Sequence, residues 1–232
     1  MGTVVPGCMA RFSCGASNNS PVWSVFDFLR WKIVPDRLGG GRTFIRRFKD
    51  GWVKHNRVLI VHYARSNKIP AELLAGTAWI EVGGDPTFVD RMAYEVRSLD
   101  WSGPKWVDDR LTLTREPSFT SFGAVSMQLR AAARTMRIDL RTLSAADLRS
   151  LARCLERDVF NLDIVARHLR DLTALDFPGS DARNLNPDQI KIVGARYNRG
   201  TSLSLDAIKN NMSYGEFIVK MWPHLTGLLN EQ

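Results

Sequence analysis

Glu81 has the setting that most clearly suggests chemistry. It closes the run Ile69-Pro70-Ala71-Glu72-Leu73-Leu74-Ala75-Gly76-Thr77-Ala78-Trp79-Ile80-Glu81, whose apolar spacing predicts a helix over 70–83. On helical geometry Leu73, Thr77, Ile80 and Glu81 share one face, so a stripe aimed at the core finishes in a carboxylic acid. Partial burial disfavours the carboxylate, and the carbonyl oxygens of a last helical turn do the same. Both effects raise the pKa. A glutamic acid kept protonated near neutral pH is suited to donating a proton to a leaving glycosidic oxygen. Gly83 and Gly84 follow at once, stopping the helix and leaving room without side chains for a cleft. The competing reading is an ordinary helix end with Glu81 on its solvated edge.

Two further segments carry residues that could meet a substrate. The first is Thr120-Ser121-Phe122-Gly123-Ala124-Val125-Ser126-Met127-Gln128-Leu129, and the second is Ala195-Arg196-Tyr197-Asn198-Arg199-Gly200. Taken in order, the three segments resemble the catalytic helix, the small-residue turn into a Met-Gln helix, and the Ala-x-Tyr-Asn-x-Gly pattern of the goose-type lysozyme and soluble lytic transglycosylase superfamily. Val82 stands where that family usually has Ser, Val125-Ser126 stands for its Gly-Leu, and the 42 positions from Glu81 to Gly123 exceed its usual spacing. The resemblance covers roughly residues 55–229. It implies a lysozyme-like helical domain that cleaves peptidoglycan glycan strands between N-acetylmuramic acid and N-acetylglucosamine, with Glu81 as general acid and no cofactor.

Site roles follow for the matched positions. Tyr197 and Asn198 would present a hydroxyl and an amide to the glycan or to Glu81, unless Tyr197 bonds backbone and Asn198 only ends a helix. Gln128 would reach an N-acetyl group or make a core hydrogen bond. Ser121 and Gly123 would admit a sugar close to the backbone, or simply form a tight turn. A two-carboxylate hydrolase needs another acid across the sugar, and Asp85, Asp90, Glu95, Asp100, Asp108, Asp109 and Glu116 occupy the intervening stretch without a ranking. The family's single-Glu route, which uses the substrate's own N-acetyl group and leaves an anhydro sugar, needs none. Muramidase and lytic transglycosylase therefore both remain open.

The elements that must position these groups are helical. Segments near 51–66, 70–83, 87–98, 124–136, 144–156, 158–174, 187–198 and 213–229 carry apolar residues three and four apart, predicting a mainly α domain over 51–232. Asn186-Pro187-Asp188-Gln189 is a capped helix start, and Gly200 is the matching stop. Residues 1–50, rich in Gly, Ser, Asn and Pro, read as an N-terminal arm or small subdomain. Between 99 and 123, Leu111-Thr112-Leu113-Thr114 alternates between Pro104 and Pro117, predicting a small β-hairpin or long loop. Trp101 and Trp106, in that insertion, are candidates for stacking on sugars.

The 232 residues carry a net charge of +8, which favours an anionic partner such as cell wall or nucleic acid. The cations, among them Arg42, Arg46, Arg47, Lys49, Arg130 and Arg134, are scattered and read as solvated helix faces rather than a nucleic-acid patch. His55, His62, His168 and His224 show no metal-ligand spacing, with His55 and His62 expected on one helix. Cys8, Cys14 and Cys154 are expected as free thiols, a Cys8–Cys14 bridge being the alternative and Cys154 a core residue. Residues 1–20 lack a secretory signal pattern and no stretch is long and apolar enough to span a bilayer. The enzyme reading thus implies delivery to the cell wall by a secretion machine, as a toxin with an immunity protein plugging its cleft, or release by phage lysis. A non-catalytic basic helical module binding peptidoglycan or nucleic acid is the other reading.

Overall fold

The computed structural model describes residues 12–16, 19–83 and 117–231. The expected helix at 87–98, the strand at 111–114, Cys8, Trp101, Trp106 and all seven acidic residues of the intervening stretch lie outside the described residues. The fold is mainly α: α1 (Val25–Ile33), α2 (Gly41–His55), α3 (Arg57–Asn67), α4 (Ala71–Glu81), β1 (Ser121–Phe122), β2 (Met127–Gln128), α5 (Leu129–Thr135), α6 (Ala145–Leu155), α7 (Asp158–Asp176), α8 (Pro187–Arg199), α9 (Leu205–Lys209) and α10 (Ser213–Asn230).

α4 is the hub, in contact with α2, α3, α7, α8 and α10. Its residues from Leu73 to Trp79 are all buried, so it is apolar on every face, as a central helix must be, rather than carrying the one-sided stripe expected. Gly76 allows this crowding: a Cβ there would lie 2.9 Å from Ile218 and 3.1 Å from Leu225 of α10.

The helix expected over 51–66 divides at Asn56, whose side chain turns back to bond the carbonyl of Trp52 at 3.1 Å, an interaction that competes with helix continuation. His55 therefore ends α2 and His62 lies in α3, not on one helix as expected. The boundary drawn at residue 50 falls within α2, which buries Ile45, Lys49, Trp52 and Val53 in succession on one face. Phe12, farther back in the arm, is also part of the main core.

The free-thiol expectation is overturned. Cys14 and Cys154 form a disulfide across 140 residues, a pairing that sequence spacing could not suggest. Closing so long a loop stabilises a fold by roughly 4–5 kcal/mol on chain-entropy grounds. The bond fastens the arm to the end of α6, where Arg157 also donates to the carbonyl of Gly15 at 3.2 Å.

The capped helix start stands as expected. Asn186 accepts from the Gln189 amide at 3.0 Å, the Gln189 side chain accepts from the Asn186 amide at 2.9 Å, and α8 stops at Gly200. The helix expected to begin near 124 begins instead at Leu129, because 121–128 folds as a two-stranded antiparallel hairpin pairing Ser121 with Gln128 and Phe122 with Met127.

Candidate active site

Glu81 is the last residue of α4, and the groove opens where that helix ends. Its carboxyl is backed by the core yet lines two cavities, one of about 290 Å³ and one of about 340 Å³, which also share Ser121 and Ser126. The acid thus stands where the two halves of one groove meet. Burial raises its pKa, opposed by hydrogen bonds from Tyr214 and Ser126 and by the charge of Lys49. The Tyr214 hydroxyl donates to Glu81 Oε1 at 2.8 Å. Burial and the nearby carboxyl push the Tyr214 pKa well up, so this hydroxyl stays a donor.

Ser126 owes its position to a hairpin held at both backbone groups of its neighbour. Asn161, buried on α7, accepts from the Val125 amide at 3.0 Å, and the Tyr197 hydroxyl donates to the Val125 carbonyl at 2.7 Å. Ser126 itself has φ +37°, a conformation that costs a residue with a side chain of order 1–3 kcal/mol and persists only where the surroundings impose it. Gly123, at φ +81°, could not be larger: a Cβ would lie 2.1 Å from the carbonyl of Leu155 and 2.6 Å from Asn161.

Lys49 corrects the reading of the cations as solvated. It is buried, and its Nζ donates to the carbonyls of Trp79 and Ile80 at 2.8 and 2.6 Å. These belong to the last turn of α4, where carbonyls lack helical partners. Desolvation brings the Lys49 pKa down to about 8, with Glu81 pulling the other way. The lysine therefore completes the C-terminus of α4 and moderates the negative end that Glu81 faces.

The site residues expected from sequence are shared between the two cavities. Glu81, Ser121, Gln128, Tyr197 and Asn198 all line the smaller cavity, while Gly123 lines the larger. Tyr197 spends its hydroxyl on Val125, so the backbone alternative holds for it and Tyr214 supplies the hydroxyl on Glu81. Gln128 accepts from Arg130 Nε at 2.8 Å, and Met127 and Gln128 sit on a strand rather than in a helix. Gly123 lines the larger cavity and leaves no space for a Cβ between Leu155 and Asn161.

Tyr214, Ser126, Lys49 and Asp158 were not singled out by sequence. Lys49 had a visible signal, a cation inside the apolar series Ile45, Trp52, Val53. Asp158, the first residue of α7, lines the larger cavity together with Glu156, Trp23 and Trp52. Burial raises its pKa, opposed by a hydrogen bond from Ser20 and by the charge of His55. His168, on the other cavity, is pushed down to about 4 by burial and pairs its Nδ1 with the Thr135 hydroxyl at 3.0 Å, so it is a neutral structural group. Among the described residues no three His, Cys, Asp or Glu side chains converge on a metal-sized site, and no helix is long and apolar enough to cross a membrane. Comparison with known protein families, curated proteins and solved structures finds no match to this chain.

Proposed function

We propose that the protein cleaves the glycan strands of peptidoglycan, with Glu81 as general acid. The observation carrying this reading is the placement of a carboxyl group, its protonated form favoured by burial, at the junction of two cavities. A polymer can lie across such an acid with residues on both sides of the bond to be broken, as chain cleavage requires. The Tyr214 hydroxyl holds Oε1, and the carboxyl proton passes to the glycosidic oxygen. The amides of Gln128 and Asn198 on the smaller cavity suit N-acetyl sugars.

Asp158 gives the hydrolytic route its second carboxylate. It shares the larger cavity with Glu81 and begins a helix, whose amide end favours the anion, as a group drawing a proton from water requires. This supports muramidase action over the anhydro-forming route. The disulfide supports action in an oxidising compartment such as the periplasm or cell wall, reached by a secretion machine or by phage lysis. In the secreted-toxin case an immunity protein would occlude this groove.

Mass spectrometry of purified peptidoglycan after incubation with the protein tests the reading. Reducing-end muramic acid is the expected product. Anhydro-muramic ends would keep Glu81 as the acid but remove Asp158 as the base, and intact glycan from a folded sample would overturn cleavage in favour of a binding module.

A further inference from the structure

α1 differs from every helix around the groove in burying nothing. Val25, Phe26, Leu29 and Ile33 fall on one face of the helix, and Val22 lies in the segment just before its cap. All are open to solvent, Phe26 at 82%, Val22 at 76% and Ile33 at 71%. Leu38, in the short turn that follows, is 68% exposed. Helices fold because an apolar face is covered, so an uncovered one of this size marks a surface with a partner.

The edges of the face indicate which partner. Arg30 lies four residues after Phe26 and three before Ile33, while Lys32 lies three after Leu29, so a cation borders the apolar strip on each side. Lys32 extends over the Trp31 ring at 3.8 Å, and Arg37 and Arg42 stand exposed beyond the helix end. The helix is firmly set: Ser24 and Asp27 form a reciprocal cap, and Trp23 packs at 4.7 Å on Phe48 of α2. An apolar strip with cationic borders on a rigid base is the pattern of a helix lying in the headgroup region of an anionic bilayer, apolar side chains in the acyl boundary and cations against phosphate.

We infer that α1 docks the protein onto anionic phospholipid membranes through Phe26, Leu29 and Ile33, with Lys32 and Arg37 facing the headgroups. A protein partner fits less well, because the strip stands out from α2 and the cations beside it, Arg30, Lys32, Arg37 and Arg42, outnumber the acids Asp27 and Asp36. The inference is independent of glycan cleavage.

Sedimentation of the full chain with vesicles of phosphatidylcholine alone, or mixed three to one with phosphatidylglycerol, tests it. Both the parent and F26S/I33S are compared, after melting curves establish that these exposed substitutions leave the fold intact. The parent should bind the anionic vesicles at least tenfold more tightly than the neutral ones. F26S/I33S should lose about tenfold on the anionic vesicles, and K32Q/R37Q should flatten the salt dependence. Binding that ignores Phe26 and Ile33 and disappears in salt would reflect the net charge alone and overturn the assignment. Indifference to both vesicles would overturn it too, as would self-association through Phe26 seen by ultracentrifugation without lipid binding.

Discussion

Glu81 and Asp158 border the same cavity, and burial raises the pKa of both, yet their helices meet them from opposite ends. Glu81 is the last residue of α4 and faces carbonyl oxygens; Asp158 is the first residue of α7 and faces amide hydrogens. The carbonyl end reinforces burial in keeping a proton on Glu81, whereas the amide end opposes burial and favours the Asp158 anion. In the proposed mechanism this difference in helix polarity is what assigns Glu81 as the acid and Asp158 as the base. Each is then trimmed by its neighbours: Tyr214, Ser126 and Lys49 keep the Glu81 pKa from rising without limit, and Ser20 and His55 do the same for Asp158.

Substitutions that break this pairing should graduate in effect. E81Q removes the proton donor and should lower the cleavage rate by about a thousandfold with the fold retained, measured as soluble fragments released from peptidoglycan. D158N removes the base and should cost about tenfold to a hundredfold, with any residual product moving from reducing to anhydro ends in the mass spectrum. An unchanged rate in D158N would end the two-carboxylate account while leaving Glu81 in place.

Y214F sharpens the comparison on the acid side. Losing the hydroxyl should lower kcat by about tenfold through a less fixed carboxyl, and it also removes a donor that favours the anion. With Glu81 as the proposed acid, cleavage should be present below the Glu81 pKa and be lost as pH rises through it. Y214F therefore moves the basic limb of the rate profile upward. K49M should give the smallest change in rate, with the same upward movement, because it too takes away a stabiliser of the anion. It should also destabilise the fold by about 1–3 kcal/mol in chemical denaturation, since two carbonyls lose their donor. The acidic limb, set by Asp158, should stay in place in both variants.

Residues whose roles depend on local order were legible in the sequence. Glu81 ends its helix where Val82 turns extended and Gly83 takes a left-handed φ of +76°, and Asn186, Pro187 and Gln189 open α8 through contacts within one turn. Roles made by distant contacts were not legible. Cys14 meets Cys154 across 140 positions, Lys49 reaches the end of α4 from another helix, and Tyr214 reaches Glu81 from α10. Tyr197 lies in the segment that resembles a family motif, but its hydroxyl holds Val125 in place, and the hydroxyl on the acid comes from the next long helix. The hairpin at 121–128 was missed because Thr120, Ser121, Gly123, Ala124 and Ser126 give neither a helical nor an alternating apolar pattern; buried Asn161 supplies what fixes it.

The most direct test of the central claim is the release of soluble fragments from purified peptidoglycan by the parent protein and by E81Q, matched for fold by near-ultraviolet circular dichroism. The account predicts release by the parent and almost none by E81Q. Equal release by the two proteins would contradict it, because the proton would then have to come from somewhere other than the end of α4.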